Sequence, residues 1–148
     1  SPSDVQRAHS ILEQVGLSRW TKHYPHQLSG GMRKRASLAR TLVYNPPVVL
    51  MDEPFGALDA ETRAQLQADL LDLWASEKKT ILFATHDINE AIALGDRIVV
   101  LSGSPGQIVL ERQIEIERPR DPELIFKVPT FAAHYDAVRA CLRGASHS

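Results

Sequence analysis

Two short motifs, separated by the length of one helix, constrain this chain more than any other feature. The first is LSGGM at residues 28–32, and the second is the apolar run VVLM at 48–51, which ends in Asp52, Glu53 and Pro54. A Ser-Gly-Gly turn that opens a helix presents backbone N–H groups and the positive end of the helix dipole, which suits a phosphate oxygen. A valine-rich run predicts a strand buried on both faces, with its carboxylates at the sheet edge where α/β folds bind ligands. The pattern therefore predicts an anion site and a metal site.

The two motifs together resemble the signature sequence and the Walker B strand of the ATP-binding-cassette (ABC) transporter ATPases. Two further matches follow in the family's order: GALD at 56–59 resembles the D-loop, and ATHD at 84–87 resembles the segment that carries the switch histidine. The RPRD segment at 118–121 resembles the nitrate, sulfonate and taurine importer branch, as do YPHQ at 24–27 and Met32 where the family pattern has glutamine. The resemblance implies an α/β cassette of the P-loop NTPase type, with a mainly parallel sheet flanked by helices.

A P-loop of the form G-x-x-x-x-G-K-[ST] occurs nowhere in the 148 residues, and the family's glutamine loop cannot be placed either. We therefore interpret the sequence as the C-terminal part of a cassette. The resemblance implies part of the helical signature subdomain at residues 1–46, the C-terminal part of the ATPase core at 47–118, and a C-terminal tail with a helix at 119–148.

Hydrophobic periodicity and capping signals predict the order of the elements. The predicted helices begin near Ser3, Gly30, Ala60, Asp87 and Thr130, and the predicted strands cover 48–51, 80–84 and 97–101, with one strand or two short ones at 107–116. The long helical crossover between the first two strands predicts that they pair in parallel. In the family, the strand that precedes the P-loop lies between the strands matched by 80–84 and 97–101, so we expect a gap there.

Composition excludes several classes of function. Hydrophobic residues make up 43% and charged residues 24%, and the formal charge is −1, without the basic excess typical of nucleic-acid binding. No run approaches the ~18 apolar residues of a membrane-spanning helix, so any membrane role is expected to be peripheral. The single cysteine, Cys141, excludes an intramolecular disulfide and a multi-cysteine metal site, which fits a cytosolic protein.

The carboxylates at the end of the Walker B match are the candidates for catalysis on ATP. The resemblance implies that Asp52 helps to hold Mg²⁺ on the nucleotide and that Glu53 polarises the attacking water. His86 is implied to donate a hydrogen bond to a γ-phosphate oxygen. The alternatives are an aspartate that caps a loop, a glutamate in a surface salt bridge and a structural histidine.

The signature turn is the candidate nucleotide contact. In the family, the residues matched by Ser29, Gly30 and Gly31 bind ATP that is held by the P-loop of a partner subunit. The alternative for Ser29 is an ordinary helix N-cap. Asp59 is either a helix cap or a D-loop contact to the opposite subunit, and it can be both.

The resemblance also implies the protein's partners and location. They are a second ATPase subunit in a homodimer, transmembrane permease subunits and, indirectly, a solute-binding protein, at the cytoplasmic face of the inner membrane. The aromatic region around Trp20 and Tyr24 is either the docking surface for the permease or simple packing. The predicted function is ATP hydrolysis in the complete subunit, which drives import of a small solute; the isolated piece is expected to be inactive. The alternatives are a non-catalytic remnant or regulatory dimerisation module, and an ABC ATPase that acts on DNA or the ribosome.

Overall fold

The computed structural model describes residues 2–56 and 58–145. Ala57 of the GALD motif and the last three residues of the tail, including His147, lie outside the described residues. The chain divides into two compact units, Ser1–Ala84 and Thr85–Ser148. The three-part organisation expected from the family resemblance remains a prediction.

In its described residues, the first unit contains three α-helices and two strands. Its elements are α1 (Pro2–Gln14), α2 (Gly30–Val43), β1 (Val48–Asp52), α3 (Ala60–Glu77) and β2 (Thr80–Ala84), with short 3₁₀ turns at Ser18–Trp20 and Pro25–Gln27. Helix α3 ends at Lys78, which adopts the left-handed conformation with φ +46°. Asn45 is also left-handed, with φ +53°, and separates α2 from the following prolines. The predicted helix and strand positions are confirmed for this unit.

The two strands of this unit pair in parallel, as predicted. Val48 lies opposite Thr80 and Asp52 opposite Ala84, so that both strands end at one edge of the sheet. Val49 is buried among side chains of α2 and α3, including Leu42 and Leu70.

The prediction that β1 is buried on both faces is wrong, and one face of β2 is exposed as well. Val48 is 50% exposed, Leu50 73% and Leu82 66%. Because side chains alternate between the two faces of a strand, this set shares the face opposite Val49. In the described part of this unit, α2 and α3 pack against the Val49 face, and the apolar side chains of the other face remain open to solvent.

The second unit is a helix-covered hairpin. It contains α4 (Ile88–Leu94), β3 (Arg97–Ser102), β4 (Gln107–Gln113), a 3₁₀ turn at Ile125–Lys127 and α5 (Phe131–Ala145). Strands β3 and β4 pair antiparallel in their own sheet, with an irregularity between Val100 and Leu101. The core joins residues of every helix and of β3 with residues after β4: Ile92, Ala93, Ile98, Val100, Ile114, Ile116, Ile125, Phe131 and Val138.

The apolar stripe predicted for the last helix is confirmed in its first turns only. Phe131 and Val138 are buried and Tyr135 is half-buried, whereas Leu142 is 38% exposed. His134 shares the buried side of α5 and is 5% exposed. The histidine is therefore a packing residue.

Candidate functional site

The signature turn forms the N-terminus of α2. Ser29 is the N-cap, and its Oγ accepts a hydrogen bond from the N–H of Met32 at 3.2 Å. The first N–H groups of a helix have no acceptor within the helix. The Ser29 hydroxyl binds the N–H of Met32. Within the described residues, the N–H groups of Gly30 and Gly31 remain available to bind an anion. The capping role of Ser29 is thus observed, and it is compatible with a contact to phosphate.

The two glycines of this turn have different surroundings. Gly30 is exposed, and a Cβ added to it would have no described atom within 4 Å. A Cβ added to Gly31 would lie 2.5 Å from Thr62 Cγ2, a distance that real Cβ atoms essentially never show. Gly30 therefore leaves space in front of the helix, while Gly31 allows the start of α3 to pack closely.

Asp59 caps the helix that begins beside the signature turn. Its Oδ1 accepts a hydrogen bond from the N–H of Thr62 at 2.9 Å. Hydrogen bonds from Thr62 lower the pKa of the exposed Asp59 carboxyl, which stays ionised at the positive end of α3. Thr62 thus contacts both predicted nucleotide-binding segments, since its methyl group faces Gly31 and its N–H binds Asp59. The predicted D-loop contact of Asp59 to another subunit stays a prediction.

Asp52 is the last residue of β1, and Glu53 follows it directly. Both side chains are exposed. Glu53 adopts the left-handed conformation with φ +44°, and its N–H donates to the carbonyl of Ala84 at 3.0 Å. The chain therefore bends at Glu53, and the turn covers residues 54–56, beginning at Pro54. A left-handed non-glycine residue costs of order 1–3 kcal/mol, and such residues cluster at active sites.

The loop after Glu53 is held by an aromatic contact. Phe55 is 5% exposed, and its ring centroid lies 5.7 Å from that of Phe83 in β2. The N–H of Gly56 donates to the carbonyl of Glu53 at 3.3 Å, and a Cβ added to Gly56 would lie 3.6 Å from Glu53 Oε2. The Glu53 carboxylate therefore lies beside Gly56, at the start of the predicted D-loop.

His86 belongs to the second unit and is exposed. Its neighbours are tied to the first turn of α4. Thr85 Oγ1 donates to Glu90 Oε2 at 2.7 Å and accepts from the N–H of Asp87 at 3.0 Å. Asp87 caps α4, and its Oδ1 accepts from the N–H of Asn89 at 2.8 Å. The residues on both sides of His86 are thus held by hydrogen bonds.

The predicted site residues fall into three groups. The first unit brings the signature turn together with the start of α3, and it places both carboxylates at the end of β1, next to Ala84 of β2. His86 lies in the second unit, two residues after Ala84. Sequence reasoning missed the contact of Thr62 with Gly31 because no local pattern marks a contact between residues far apart in the chain. Sequence reasoning also gave no role to Thr85, which binds Glu90 and Asp87, although its place in the ATHD motif next to His86 was a local signal.

Asp52 has the chemistry that a nucleotide-bound magnesium ion requires. Mg²⁺ prefers oxygen ligands, keeps several waters and is bound through one or two carboxylates together with the phosphates of the substrate. An exposed carboxylate at the carboxyl end of a parallel strand meets that requirement. Among residues 2–56 and 58–145, no cluster of three or more His, Cys, Asp or Glu side chains could hold a metal ion by itself.

Comparison with known proteins agrees with the motif order. A family model described as ABC transporter matches residues 3–56. The aliphatic sulfonates import ATP-binding protein SsuB of Burkholderia ambifaria is 46% identical over 77% of this chain and 35% of that protein. The nitrate import ATP-binding protein NrtD of Synechococcus elongatus is 44% identical over 82% of this chain and 44% of its own length. The taurine import ATP-binding protein TauB of Rhizobium johnstonii is 41% identical over 92% of this chain and 53% of its own.

Solved structures share the fold. The ADP conformation of MJ1267, an ATP-binding cassette of an ABC transporter, matches with a TM-score of 0.69 and 26% identity over 90% of this chain and 50% of that one. The dimeric post-hydrolysis state of the cassette MJ0796 bound to ADP and Pi matches with a TM-score of 0.61 and 37% identity over 76% of this chain and 47% of that one.

Fold and motif order together define an α/β domain of the ABC ATPase class. The chain belongs to the ABC transporter ATPase family and is close to the ATPases of sulfonate, nitrate and taurine importers. It spans about a third to a half of the length of these curated relatives. Of the helices in the described ranges, none combines the length and the apolar character needed to cross a bilayer.

Proposed function

We propose that this chain is the signature and Walker B part of the ATP-binding subunit of an importer, which hydrolyses ATP to drive uptake of a small solute such as nitrate, a sulfonate or taurine. The observation that carries the proposal is the pair Asp52 and Glu53 at the carboxyl end of two parallel strands, the edge at which α/β sheets bind ligands. The sulfonate, nitrate and taurine import proteins to which the chain is similar support the class of solute.

The two carboxylates have separate roles in this proposal. Asp52 helps to hold Mg²⁺, which neutralises charge that develops on the phosphate oxygens. Glu53 orients the attacking water and accepts its proton. The bend at Glu53 supports this division, because it redirects the chain directly after Asp52 and leaves the Glu53 carboxylate exposed beside Gly56.

The remaining site residues bind the nucleotide. Gly30 and Gly31 donate backbone N–H groups to the γ-phosphate, and the Ser29 hydroxyl lies at the same helix start. We assign this contact to ATP held by the P-loop of a second copy, since a structural relative is described as a dimeric cassette bound to ADP and Pi. Asp59 contacts the opposite subunit, and His86 donates a hydrogen bond to the γ-phosphate.

The wider assembly is part of the same proposal. The ATPase subunits form a homodimer and bind transmembrane permease subunits at the cytoplasmic face of the inner membrane. A solute-binding protein delivers the solute to the permease from the opposite face. Trp20 is 40% exposed and Tyr24 68%, which suits the docking of a permease segment. No contact with nucleic acid is proposed.

Substitution of Glu53 tests the catalytic assignment. In the full-length subunit, Glu53→Gln should preserve ATP binding and lower turnover by at least the ~10²-fold typical of losing a general base. Glu13→Gln is the matched control, since Glu13 is an exposed glutamate on α1. Near-normal steady-state hydrolysis by Glu53→Gln would remove Glu53 from the role. A full-length wild-type subunit that binds no ATP would favour the non-catalytic alternative.

A further inference from the structure

Arg120, in the RPRD segment of the tail, is a buried arginine whose donors are directed at backbone carbonyls. The residue is 7% exposed. Its guanidinium donates to the carbonyls of Ile116 at 2.9 Å, Ile114 at 3.3 Å, Ile92 at 3.2 Å and Gly95 at 2.6 Å. The first two carbonyls belong to the segment after β4, and the last two belong to the end of α4. Arg120 therefore joins the tail to the C-terminus of α4.

Arg118 binds the same end of that helix. Its NH2 donates to the carbonyl of Leu94 at 2.7 Å, and its Nε and NH2 donate to Asp96 Oδ1 at 3.0 and 2.8 Å. We call Arg118 and Arg120 the arginine clasp. The last carbonyls of a helix have no partner within the helix, and the clasp binds three of them on a helix of seven residues.

The donors of the clasp are engaged within the protein. Arg120 uses all three of its guanidinium nitrogens on carbonyls, and Arg118 uses two of its nitrogens on Leu94 and Asp96. An arginine that binds phosphate or carboxylate ligands has to present its planar fork to them. The geometry therefore favours a positioning role over an anion-binding role.

The opposite end of the same helix follows His86. There, Thr85 binds the buried carboxylate of Glu90, and Asp87 caps the helix. A helix as short as α4 is not stable by itself, so its position depends on packing and on what binds its ends. Between the two ends, Ile92 is fully buried in the core of the unit.

We infer that the arginine clasp is a positioning device for His86: by binding the C-terminal carbonyls of α4, Arg118 and Arg120 hold the helix that continues directly from the histidine. The inference rests on the proposed function, in which His86 donates to the γ-phosphate. It assigns a role to the RPRD segment, which the catalytic proposal leaves without one. Arg118 and Arg120 do not touch the nucleotide and act through the helix.

Turnover of the full-length subunit is the first test. Arg118→Ala should lower kcat by about 10-fold and leave KM for MgATP unchanged, because a small misplacement of a reacting group costs up to ~10²-fold in rate. Arg118→Lys should recover only part of the rate, since lysine lacks the fork that reaches Leu94 and Asp96 together. Arg97→Ala is the matched control, because Arg97 forms an exposed ion pair with Glu111 at 3.0 Å in the same unit.

A double substitution separates positioning through His86 from general destabilisation. If the clasp acts through the histidine, His86→Ala combined with Arg118→Ala should turn over at the rate of His86→Ala alone. Losses that multiply in the double variant, or a rise in KM equal to the fall in kcat, would overturn the inference. Arg118 is the residue to change because the side chain of Arg120 is 2% exposed and its removal threatens folding.

Hydrogen exchange gives a readout that does not depend on catalysis. Peptides covering residues 85–94 should exchange faster in Arg118→Ala than in wild type and remain unchanged in Arg97→Ala. Unchanged exchange in Arg118→Ala would overturn the inference that the arginine clasp holds α4. Normal turnover by His86→Ala would instead contradict the role of His86 under the proposed function, and faster exchange in Arg118→Ala would then still support the hold on α4.

Discussion

Gly31 packs directly against Thr62, so that a Cβ added to the glycine would lie 2.5 Å from Thr62 Cγ2. The contact joins the second residue of α2 to the first turn of α3. Thr62 in turn donates its N–H to Asp59, which caps α3. The signature turn and the end of the predicted D-loop are therefore packed as one surface of the first unit.

This contact predicts that Gly31→Ala destabilises the full-length subunit. Overpacking of a tight contact typically costs about 1–3 kcal/mol. Thr62→Ser removes the methyl group that the new Cβ would strike, so the double variant should recover part of the loss. The measurement is the urea midpoint of unfolding. Gly30→Ala is the control because no described atom lies within 4 Å of its Cβ position, and equal losses for the two glycines would contradict the packing argument.

The cross-dimer contact of the signature turn predicts that Ser29→Arg impairs the site of the other subunit. A bulky cation at the start of α2 would prevent phosphate from approaching the N–H groups of Gly30 and Gly31. In a heterodimer, one subunit carries Ser29→Arg and the other carries a P-loop substitution. Both substitutions should then impair the same ATP site and leave the second site active. Single-turnover measurements should then show one functional site, and the absence of a surviving site would contradict the assignment.

His134 predicts a dependence of stability on pH. Arg112 Nε donates to His134 Nδ1 at 2.8 Å, so the histidine is held neutral as an acceptor. Burial, together with the charges of Arg112 and Arg120, lowers the pKa of His134, and Glu115 opposes this. Because the unfolded histidine binds a proton more readily, stability should be full above a pH of about 6.5 and fall as the pH decreases toward the lowered pKa.

The measurement is the urea midpoint of the full-length subunit between about pH 5 and 8, in wild type and in His134→Asn. Asparagine keeps an acceptor oxygen near the position of Nδ1 but does not titrate, so this variant should lose part of the acid sensitivity. His9→Asn changes an exposed histidine and serves as the control. An identical pH dependence in wild type and His134→Asn would show that another group is responsible.

Residues 1–148 expressed alone are predicted to self-associate or remain partly unfolded. Within the described residues, β1 pairs with β2 and β3 with β4, in two separate sheets. Large apolar side chains on these strands are exposed: Leu50 is 73% exposed, Leu82 66%, Leu101 63% and Ile108 64%. Unpaired strand edges with apolar side chains favour association. Each unmade buried hydrogen bond costs about 1–3 kcal/mol, against the ~5–15 kcal/mol stability of a typical domain.

Light scattering and calorimetry check this prediction. The isolated chain should form oligomers or unfold without cooperativity, and it should show no measurable binding of MgATP. A soluble monomer that unfolds cooperatively and binds ATP with micromolar affinity would contradict it.

The local structure of the site was predictable because its signals lie within a few residues of one another. Ser29, Asp59 and Asp87 each cap the helix that follows, and a cap requires only an acceptor next to the N–H groups of the first turn. The parallel pairing of β1 with β2 followed from the length of the connection between them. Family membership followed from the order of four motifs.

The tertiary structure alone decided which residues far apart in sequence meet. No local pattern shows that Gly31 faces Thr62 or that Arg120 binds the carbonyl of Ile92, because such contacts depend on how packed elements align. The exposed face of Leu50 is a further example: an apolar strand is predicted to be buried on both faces, but burial depends on which elements cover it. The left-handed backbone of Glu53 arises in the same way, since its N–H donates to the carbonyl of Ala84 on the neighbouring strand. Residue types and their spacing thus determined the local elements and the family, whereas long-range packing decided how the site residues are held.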